Sequence, residues 1–535
     1  MTANEPLENY VPLSRSPIWD LVRSYYGTLG VDAWGPGRVP NYVTTNPFIG
    51  RAYANVIRGF LDDFGQSGGG RARREPHYIM ELGAGSGRFA YGFLRHFFSP
   101  EELAIAKKRH VVYVMTEVSE AAIDFWRTHP QLKPFVDQGV LDFAYLDVLK
   151  DDPVRLLISG REITPGSLSH PLSVIANYVI DSLPHDFYSV KEKRLFERRV
   201  CHRIETESEK IEDIIRETDF DYREQPVKAE PYENEIWNRI LEKYRRMTGE
   251  MNFSLPVGGF RMIDRLSALT SGSMFLMTGD FGVSALSDLA DLPPRRVARN
   301  GTFSMHVNYH ALGEYVRRGK GRFLSPGHSK SSLEMAGILM NPGRRKIRHL
   351  KYQFNNHIRN FGPDEFFMMK KIAEENFDNH SLSQILALIR VSYGDIKIFR
   401  GCATALKKNL PKVSEYERRS VVEALKSVDE AFFRCDSTVD PAIPIIQLML
   451  EAGAPTEAME ILERNRPFLD ASADGTMLVA TILYKADRAE EALEPLKDLL
   501  RREPDHRGAQ LLYGRIADEM EARSTPCRRV TSVVD

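Results

Sequence analysis

The sequence predicts an α/β protein, a doubly wound parallel sheet followed by an all-α domain. Between about residues 77 and 310, short apolar and β-branched runs alternate with helical patterns. This rhythm is typical of a parallel sheet covered by helices on both faces. Beyond about residue 365 the pattern becomes almost wholly helical. Because 535 residues exceed what one core normally holds, we expect separate domains.

Composition argues against several functional classes. The chain has 72 basic and 73 acidic residues, so its overall charge of -1 does not attract nucleic acid or an anionic membrane. Its 4 cysteines have no CxxC spacing, which argues against a disulfide framework or a zinc site. The first residues lack the apolar core of a secretory signal, and no apolar run is long enough to span a bilayer. We therefore expect a soluble, cytoplasmic protein.

Changes in pattern along the chain predict the domain boundaries. Residues 1–75 are expected to form an N-terminal helical segment that packs on an α/β domain spanning residues 76–335. Within that domain, the charged residues 205–255 predict a helical insertion, either on the surface or as a lid over the carboxyl edge of the sheet. Residues 336–365 predict a basic linker, or a docking patch for an acidic partner, before the helical domain at 366–535.

The helical part contains an internal repeat. Two segments superpose at an offset of 34 residues, and the matching pairs are Ala452 with Ala486, Ala458 with Ala492, and Leu462 with Leu496. A helix-turn-helix unit of this length resembles tetratricopeptide repeats, which stack into a groove for peptides or proteins. We expect this domain to recruit a protein or peptide substrate. A structural or dimerising role is the alternative.

A glycine-rich loop follows the first predicted strand. The sequence ELGAGSG (residues 81–87) places glycine at every second position, so the backbone can pass close under a ligand. The pattern differs from the GxGxxG dinucleotide fingerprint, and Glu81 would repel a pyrophosphate. A ligand that carries an ammonium group, a sulfonium and a ribose suits this loop. S-adenosylmethionine (SAM) carries all three.

Two further acids end the next two predicted strands. Glu117 is placed to accept from the ribose hydroxyls, and Asp147 is placed near the adenine amino group. Because carboxyl ends of parallel strands meet at one edge, the three acids should surround one site. A purely structural strand-turn-helix is the alternative. The predicted cofactor-binding residues are Glu81, Gly83, Ala84, Gly85, Ser86, Gly87, Glu117, Val118, Asp147, Val148 and Asn177.

Candidate catalytic residues follow the fourth and later strands. Methyl transfer from a sulfonium is an in-line displacement, so the protein supplies orientation, exclusion of water and, if needed, a base. Asn177 is expected to orient the acceptor, and Asp181 is expected to accept its proton. His185 is either a base or a packing residue, and Asp280 either faces the cleft or forms a turn. No metal site is predicted, because the two histidines of MHVNYH have no evident third ligand.

The segments VIANYVIDSLPHDFYSV and KRLFERRV belong to a series of sequence blocks, from about residue 15 to 330, whose order resembles the MidA-type methyltransferases, the family of the mitochondrial complex I assembly factor. The family's "ANE…DALP" and "ER.V" blocks match Ala176, Asn177, Asp181, Leu183, Pro184, Glu197, Arg198 and Val200. The segments LMTGDFG, GTFSMHVNYHALGEYV and NYVTTNPFIGRAYANVI are similar to other blocks of that family. The resemblance implies a class I, Rossmann-like SAM-methyltransferase domain and N-methylation of arginine in a protein.

The sequence departs from the family pattern at two acids. Tyr178 stands where the family has Glu, and Asn46-Pro47 replaces the acid of the N-terminal block. Since arginine stays protonated and needs carboxylates to orient it, other acceptors remain open. The alternatives are methylation of another peptide or small-molecule nucleophile, and a non-catalytic SAM-binding scaffold that holds partners through its repeats. A homodimer is also an open alternative.

Overall fold

The computed structural model describes residues 9–65, 75–102, 110–227, 230–247, 249–290, 292–327, 333–435, 440–469 and 473–524. The chain divides into two compact units, Met1–Ile372 and Ala373–Asp535. Among the described residues, no helix is long and apolar enough to cross a membrane.

The centre of the first unit is a sheet of 7 described strands in the order β16-β17-β11-β6-β1-β2-β3. These strands are β1 (His77–Leu82), β2 (Val111–Glu117), β3 (Leu141–Tyr145), β6 (Leu172–Asn177), β11 (Met274–Asp280), β16 (Arg322–Leu324) and β17 (Glu334–Met340). Strands β11, β6, β1, β2 and β3 are parallel, which confirms the predicted parallel sheet. Strands β17 and β16 extend one edge in antiparallel pairing, so the sheet is mixed.

The strand order reverses direction beside β1. Strand β1 pairs with β2 on one side, where Glu81 is opposite Met115, and with β6 on the other, where Leu82 is opposite Ala176. Open α/β sheets bind ligands in the crevice at such a reversal, outside the carboxyl ends of the strands. The glycine loop begins at this point.

A long helix from the N-terminal segment packs beside the glycine-loop helix. The helix Pro47–Phe64 begins with Asn46, whose side chain accepts from the backbone N–H of Ile49 at 3.1 Å. The Asn46-Pro47 pair is thus a helix start, which both residue types favour. A Cβ at Gly50 would lie 2.9 Å from the backbone nitrogen of Phe93, so the two helices cross closely at that glycine.

The predicted helical insertion at 205–255 was wrong in part. It contains the helices Ile211–Glu217 and Glu235–Arg245, and also the strands β9 (Thr218–Pro226) and β10 (Met251–Leu255). With β7 (Asp186–Lys191) and β8 (Arg194–Ile204), these form an antiparallel sheet in the order β10-β7-β8-β9. Strand β8 thus belongs to this antiparallel sheet and not to the central parallel sheet. The many charges of β9 hid its period of two, the spacing of a half-buried strand.

The predicted basic linker at 336–365 was also wrong in part. Its first residues belong to β17, which is buried along its whole length in the central sheet. The helix Arg348–Phe354 follows, and its first turn is held by Asp63, which accepts from the backbone N–H of Leu350 at 2.9 Å. The apolar run of β17 is followed closely by basic residues, and their charge obscured the strand in the sequence.

The remaining elements of the first unit are short or peripheral. The other strand pairs are β4 (Val154–Arg155) with β5 (Glu162–Ile163), β12 (Gly282–Val283) with β15 (Val307–Asn308), and β13 (Ala298–Asn300) with β14 (Thr302–Ser304). The remaining α-helices are Ile18–Leu29, Tyr42–Thr45, Arg88–Phe97, Glu120–Thr128, Lys133–Asp137, Val257–Ala268, Leu286–Ala290, Tyr309–Arg318 and Pro363–Glu374, the last of which runs past the boundary between the units.

The second unit is helical throughout its described residues. Its helices are Leu382–Val391, Ile396–Asn409, Glu415–Ala431, Ala442–Glu451, Pro455–Leu469, Ala473–Lys485, Ala489–Arg502 and Arg507–Ser524. The repeat matches burial, because Ala458, Leu462, Ala492 and Leu496 are all fully buried. Small residues at such positions let helices approach closely. The tetratricopeptide likeness itself stays a prediction.

Candidate active site

A cavity opens over the carboxyl ends of β1, β2 and β6. All of the predicted cofactor-binding residues except Gly87 line it. Gly87 instead stands directly before the helix Arg88–Phe97, with φ of 81°. The residues expected at the carboxyl ends of three successive strands therefore lie together around one cavity.

The glycine loop takes a backbone conformation that side chains disfavour. Gly83 and Gly85 have φ of 58° and 55°, in the left-handed region. The backbone N–H of Ala84 donates to Thr116 at 3.0 Å, which joins the loop to β2. The Trp126 indole donates to the carbonyl of Gly85 at 3.2 Å. The loop is thus held on both sides while its open face lines the cavity.

Glu117 is bound to the same loop. One carboxylate oxygen accepts from the backbone N–H of Gly85 at 3.1 Å, and the other accepts from Val118 at 2.8 Å. Burial raises the pKa of Glu117, and the two backbone donors oppose that rise. These bonds fix the carboxylate at the cavity wall, where a pair of ribose hydroxyls could donate to it.

Glu81 is a buried acid whose charge has no cation beside it among the described residues. The Tyr113 hydroxyl donates to it at 2.8 Å. Burial raises the pKa of Glu81 to about 8, and the nearby Glu117 charge adds to the rise. A bound ammonium group would reverse this effect, because an opposite charge nearby favours the ionised carboxylate.

Two buried polar atoms at the cavity have no hydrogen-bond partner among the described residues. They are Oδ2 of Asp147 and Nδ2 of Asn177. The Tyr53 hydroxyl donates to Oδ1 of Asn177 at 2.9 Å, which leaves the amide nitrogen as a donor. Buried polar groups normally find partners, so a ligand with both donors and acceptors is indicated. The adenine amino group and the methionine carboxylate of SAM fit this pair.

The N-terminal segment contributes a cavity wall that the sequence analysis missed. Tyr26 and Trp34 line the cavity, and their rings stack with centroids 5.2 Å apart. Trp34 lies directly against Gly85. These aromatic residues stand about 50 positions before the glycine loop. No local pattern links them to it.

The predicted catalytic acids Asp181 and Asp280 form a buried pair. Asp280 is fully buried, and Asp181 is 9% exposed. Burial raises the pKa of Asp181 to about 6, while a hydrogen bond from Ser182 opposes the rise. Burial also raises the pKa of Asp280, and the negative charge of Asp181 raises it further. Burial and the neighbouring carboxyl group therefore both disfavour ionisation of the pair.

The predicted base His185 does not line this cavity. Its ring is fully buried and stacks on Trp19, with centroids 6.5 Å apart. Its Nδ1 is 2.8 Å from the carbonyl of Leu183. Burial lowers its pKa to about 4. Of the two interpretations, its position favours packing.

A second cavity of about 920 Å³ adjoins the first. Tyr26, Val39, Tyr178 and Ser182 line both, and Asp181 lines the second. Tyr178 has φ of 52°, a left-handed conformation that is unusual for an aromatic residue. Such strained residues cluster at ligand sites, and Tyr178 lies at the junction of the two cavities. The arrangement provides adjacent sites for a donor and an acceptor.

Residues 60–285 match a family model described as "Putative S-adenosyl-L-methionine-dependent methyltransferase". The match spans β1 to β12 and includes every predicted site residue. This chain is a SAM-dependent methyltransferase. SAM is its methyl donor, and the residues that line the first cavity fit the adenosyl and methionine parts of SAM. Among the described residues, no cluster of three or more His, Cys, Asp or Glu could hold a metal ion.

Several solved methyltransferase structures are distantly similar. A COG1565 superfamily member from Burkholderia thailandensis, bound to S-adenosyl-homocysteine, is 15% identical with a TM-score of 0.38, covering 59% of this chain and 74% of that chain. Magnesium protoporphyrin IX methyltransferase from Synechocystis is 10% identical with a TM-score of 0.28, covering 60% and 99%. These TM-scores are too low to support any conclusion about the acceptor. No curated protein matches the sequence.

Proposed function

We propose that this methyltransferase transfers the methyl group to an arginine side chain of a protein. The observation that carries this proposal is the Asp181–Asp280 pair beside the junction of the two cavities. A guanidinium is always charged and requires carboxylates to orient it. The pair provides carboxyl groups beside the acceptor cavity, although Tyr178 replaces the glutamate of the resembling family.

The raised pKa values of Asp181 and Asp280 make the pair responsive to a cation. Without an acceptor, one proton lowers the repulsion between the two buried carboxyl groups. A guanidinium that enters the second cavity supplies a positive charge next to Asp181, which lines that cavity. The proton can then leave, because an opposite charge within a few ångströms lowers a carboxyl pKa. Asp280 is fully buried and lines neither cavity, and its carboxyl group interacts electrostatically with that of Asp181.

The same carboxylate can serve as the base. When bound, SAM supplies a methyl carbon that its sulfonium already activates. Forming the N–C bond and breaking the S–C bond leaves an extra positive charge on the guanidinium, and Asp181 can accept one N–H proton to remove it. Tyr26 and Tyr178, which line both cavities, would exclude water from the reacting atoms.

We further propose that the unit Ala373–Asp535 recruits the protein that carries the acceptor. The repeat with an offset of 34 residues supports this role, because stacked helical pairs form grooves for peptides. Exposed apolar side chains such as Tyr416 (82% exposed) and Leu511 (76% exposed) are available on this unit. The partner would be a protein, with no nucleic acid or membrane involved.

Proteome-wide mass spectrometry tests the acceptor. Lysates would be incubated with SAM and either the wild-type protein or an Asp181→Asn variant that binds SAM equally well by calorimetry. We expect new methyl groups on arginine with the wild type alone. Methylation confined to lysine, histidine or a small molecule would refute the arginine proposal and leave methyl transfer intact. Failure of SAM to bind would instead refute the cofactor site.

A further inference from the structure

The second cavity has a basic lining that methyl transfer does not require. Arg198, Arg295 and Arg296 line it, and Asp181 is the only acid among its described lining residues. His306 also lines the cavity, but burial lowers its pKa to about 4, so it is neutral near physiological pH. The three arginines therefore give this cavity a positive potential.

Arg198 is incompletely neutralised. Its guanidinium lies over the Tyr222 ring at 4.6 Å and is 4.0 Å from Glu224, a carboxylate that Lys191 also contacts. Its Nε is buried and has no hydrogen-bond partner among the described residues. Burial lowers the pKa of Arg198, which means that its charged form would gain from an added anion.

Arg295 and Arg296 have no ion pair among the described residues. Arg295 donates from Nε to the carbonyl of Pro293 at 3.2 Å, and burial lowers its pKa. Arg296 is exposed and lines the same cavity. An unpaired, partly buried guanidinium is an effective binder of carboxylates, because its planar donors match two oxygens at once.

We propose that this cavity binds an acidic side chain of the substrate, so that the methylated residue is flanked by Asp or Glu. For the identity of the acceptor, this inference rests on the proposed arginine methylation. A guanidinium alone would be repelled by three arginines on its way to Asp181. A carboxylate on the same peptide offsets that repulsion and selects acidic sequences.

Matched peptides test the inference. Each peptide contains one arginine and a fluorescent label at one end. Across the series, a glutamate occupies each position near the arginine in turn. Each glutamate peptide is paired with a peptide that has glutamine at the same position. Binding is measured by fluorescence anisotropy, and methylation by mass spectrometry in the presence of SAM. We expect at least one glutamate peptide to bind and react about tenfold better than its glutamine pair, the ratio that about 1.4 kcal/mol produces.

Variants of exposed arginines separate specificity from folding. Arg296→Glu should abolish the preference for glutamate, and Arg296→Lys should retain most of it because the charge remains. Arg299→Glu is the matched control, because Arg299 lies on the neighbouring hairpin, pairs with Asp219 at 3.6 Å and does not line the cavity. It should leave the preference unchanged.

The outcomes distinguish the two proposals. Equal methylation of glutamate and glutamine peptides would overturn the acidic-substrate inference and leave arginine methylation standing. Binding of a glutamate peptide that depends on Arg296, without any arginine methylation, would support the carboxylate site and refute the proposed acceptor. If no peptide binds in an Arg296-dependent way, the carboxylate site does not exist.

Discussion

The Trp34 indole lies against the bare backbone of Gly85. A Cβ added at Gly85 would come within 2.8 Å of Cζ2 of Trp34, and the φ of 55° at Gly85 already disfavours a side chain. The contact places an aromatic ring of the N-terminal segment over the glycine loop. That segment therefore helps to form the cavity that the predicted SAM-binding residues line, and it does more than cover the sheet.

A side chain at Gly85 should weaken SAM binding. Gly85→Ala combines a steric clash with a left-handed conformation that costs about 1–2 kcal/mol for a residue with a Cβ. We expect a Kd for SAM at least about tenfold higher by calorimetry. Gly92→Ala is the control, because its Cβ would meet nothing closer than 3.9 Å and alanine favours the helix. Unchanged affinity in Gly85→Ala would mean that SAM binds elsewhere.

Glu81 should lower the stability of the empty protein and strengthen SAM binding. Its folded pKa of about 8 lies above the ordinary value of 4.5, so the native state holds its proton more strongly than the unfolded chain does. The empty protein therefore loses stability as pH rises from 4.5 to 8. We expect Glu81→Gln to raise the melting temperature of the empty protein above pH 8 and to weaken SAM binding.

An exposed glutamate provides the control for that experiment. Glu120→Gln, at the start of the helix Glu120–Thr128, should change stability by no more than about 0.5 kcal/mol at any pH and leave SAM affinity unchanged. Destabilisation of the protein by Glu81→Gln at high pH would contradict the raised pKa. It would mean that the folded protein stabilises the ionised carboxylate of Glu81.

Asp181 should control the pH dependence of methylation. Its pKa of about 6 means that the rate should rise as pH increases through 6, because the carboxylate is the base. Asp181→Asn should lower kcat about 100-fold, within the usual range for a general base, without changing the Kd for SAM. Ser182→Ala removes a hydrogen bond that lowers the pKa of Asp181, so the midpoint should move to higher pH. An unmoved midpoint would assign the titration to another group.

Tyr53 should act on SAM through Asn177. Its hydroxyl donates to Oδ1 of Asn177 and so directs Nδ2 toward the cavity. Tyr53→Phe frees the amide to rotate, and we expect the Kd for SAM to rise about three- to tenfold, equivalent to one ordinary hydrogen bond. Tyr78→Phe alters a buried tyrosine that does not line the cavity, and it should have no effect on SAM affinity.

A buried ionic cluster should stabilise the second unit. Asp429 accepts from Arg434 and from Asn465, each at 2.8 Å. Asp429→Ala would leave a buried guanidinium with less compensating charge, so we expect a loss of about 3–5 kcal/mol in unfolding free energy. Glu430→Ala next to it removes an exposed pair with Arg464 and should cost less than about 1 kcal/mol. Chemical denaturation measures both changes.

Local patterns were sufficient for the parallel strands of the central sheet and for the glycine loop. The apolar runs of β1, β2 and β3 each end next to a polar residue, and parallel strands bring such ends together without any further information. Patterns failed where charge masked periodicity, as in β9, and where an apolar strand stood beside a basic run, as in β17. In both places, pairing with a neighbouring strand stabilises a segment whose composition alone favours another structure.

By itself, the sequence determined that the chain has a parallel sheet and that Glu81, Glu117 and Asp147 line one cavity, because each acid lies at or just beyond the carboxyl end of a parallel strand. Only the tertiary structure decided which distant residues complete the site. Trp34 reaches Gly85, Tyr53 orients Asn177, and Asp181 pairs with Asp280 across long chain separations. Such contacts depend on how whole elements pack, and no local spacing encodes them.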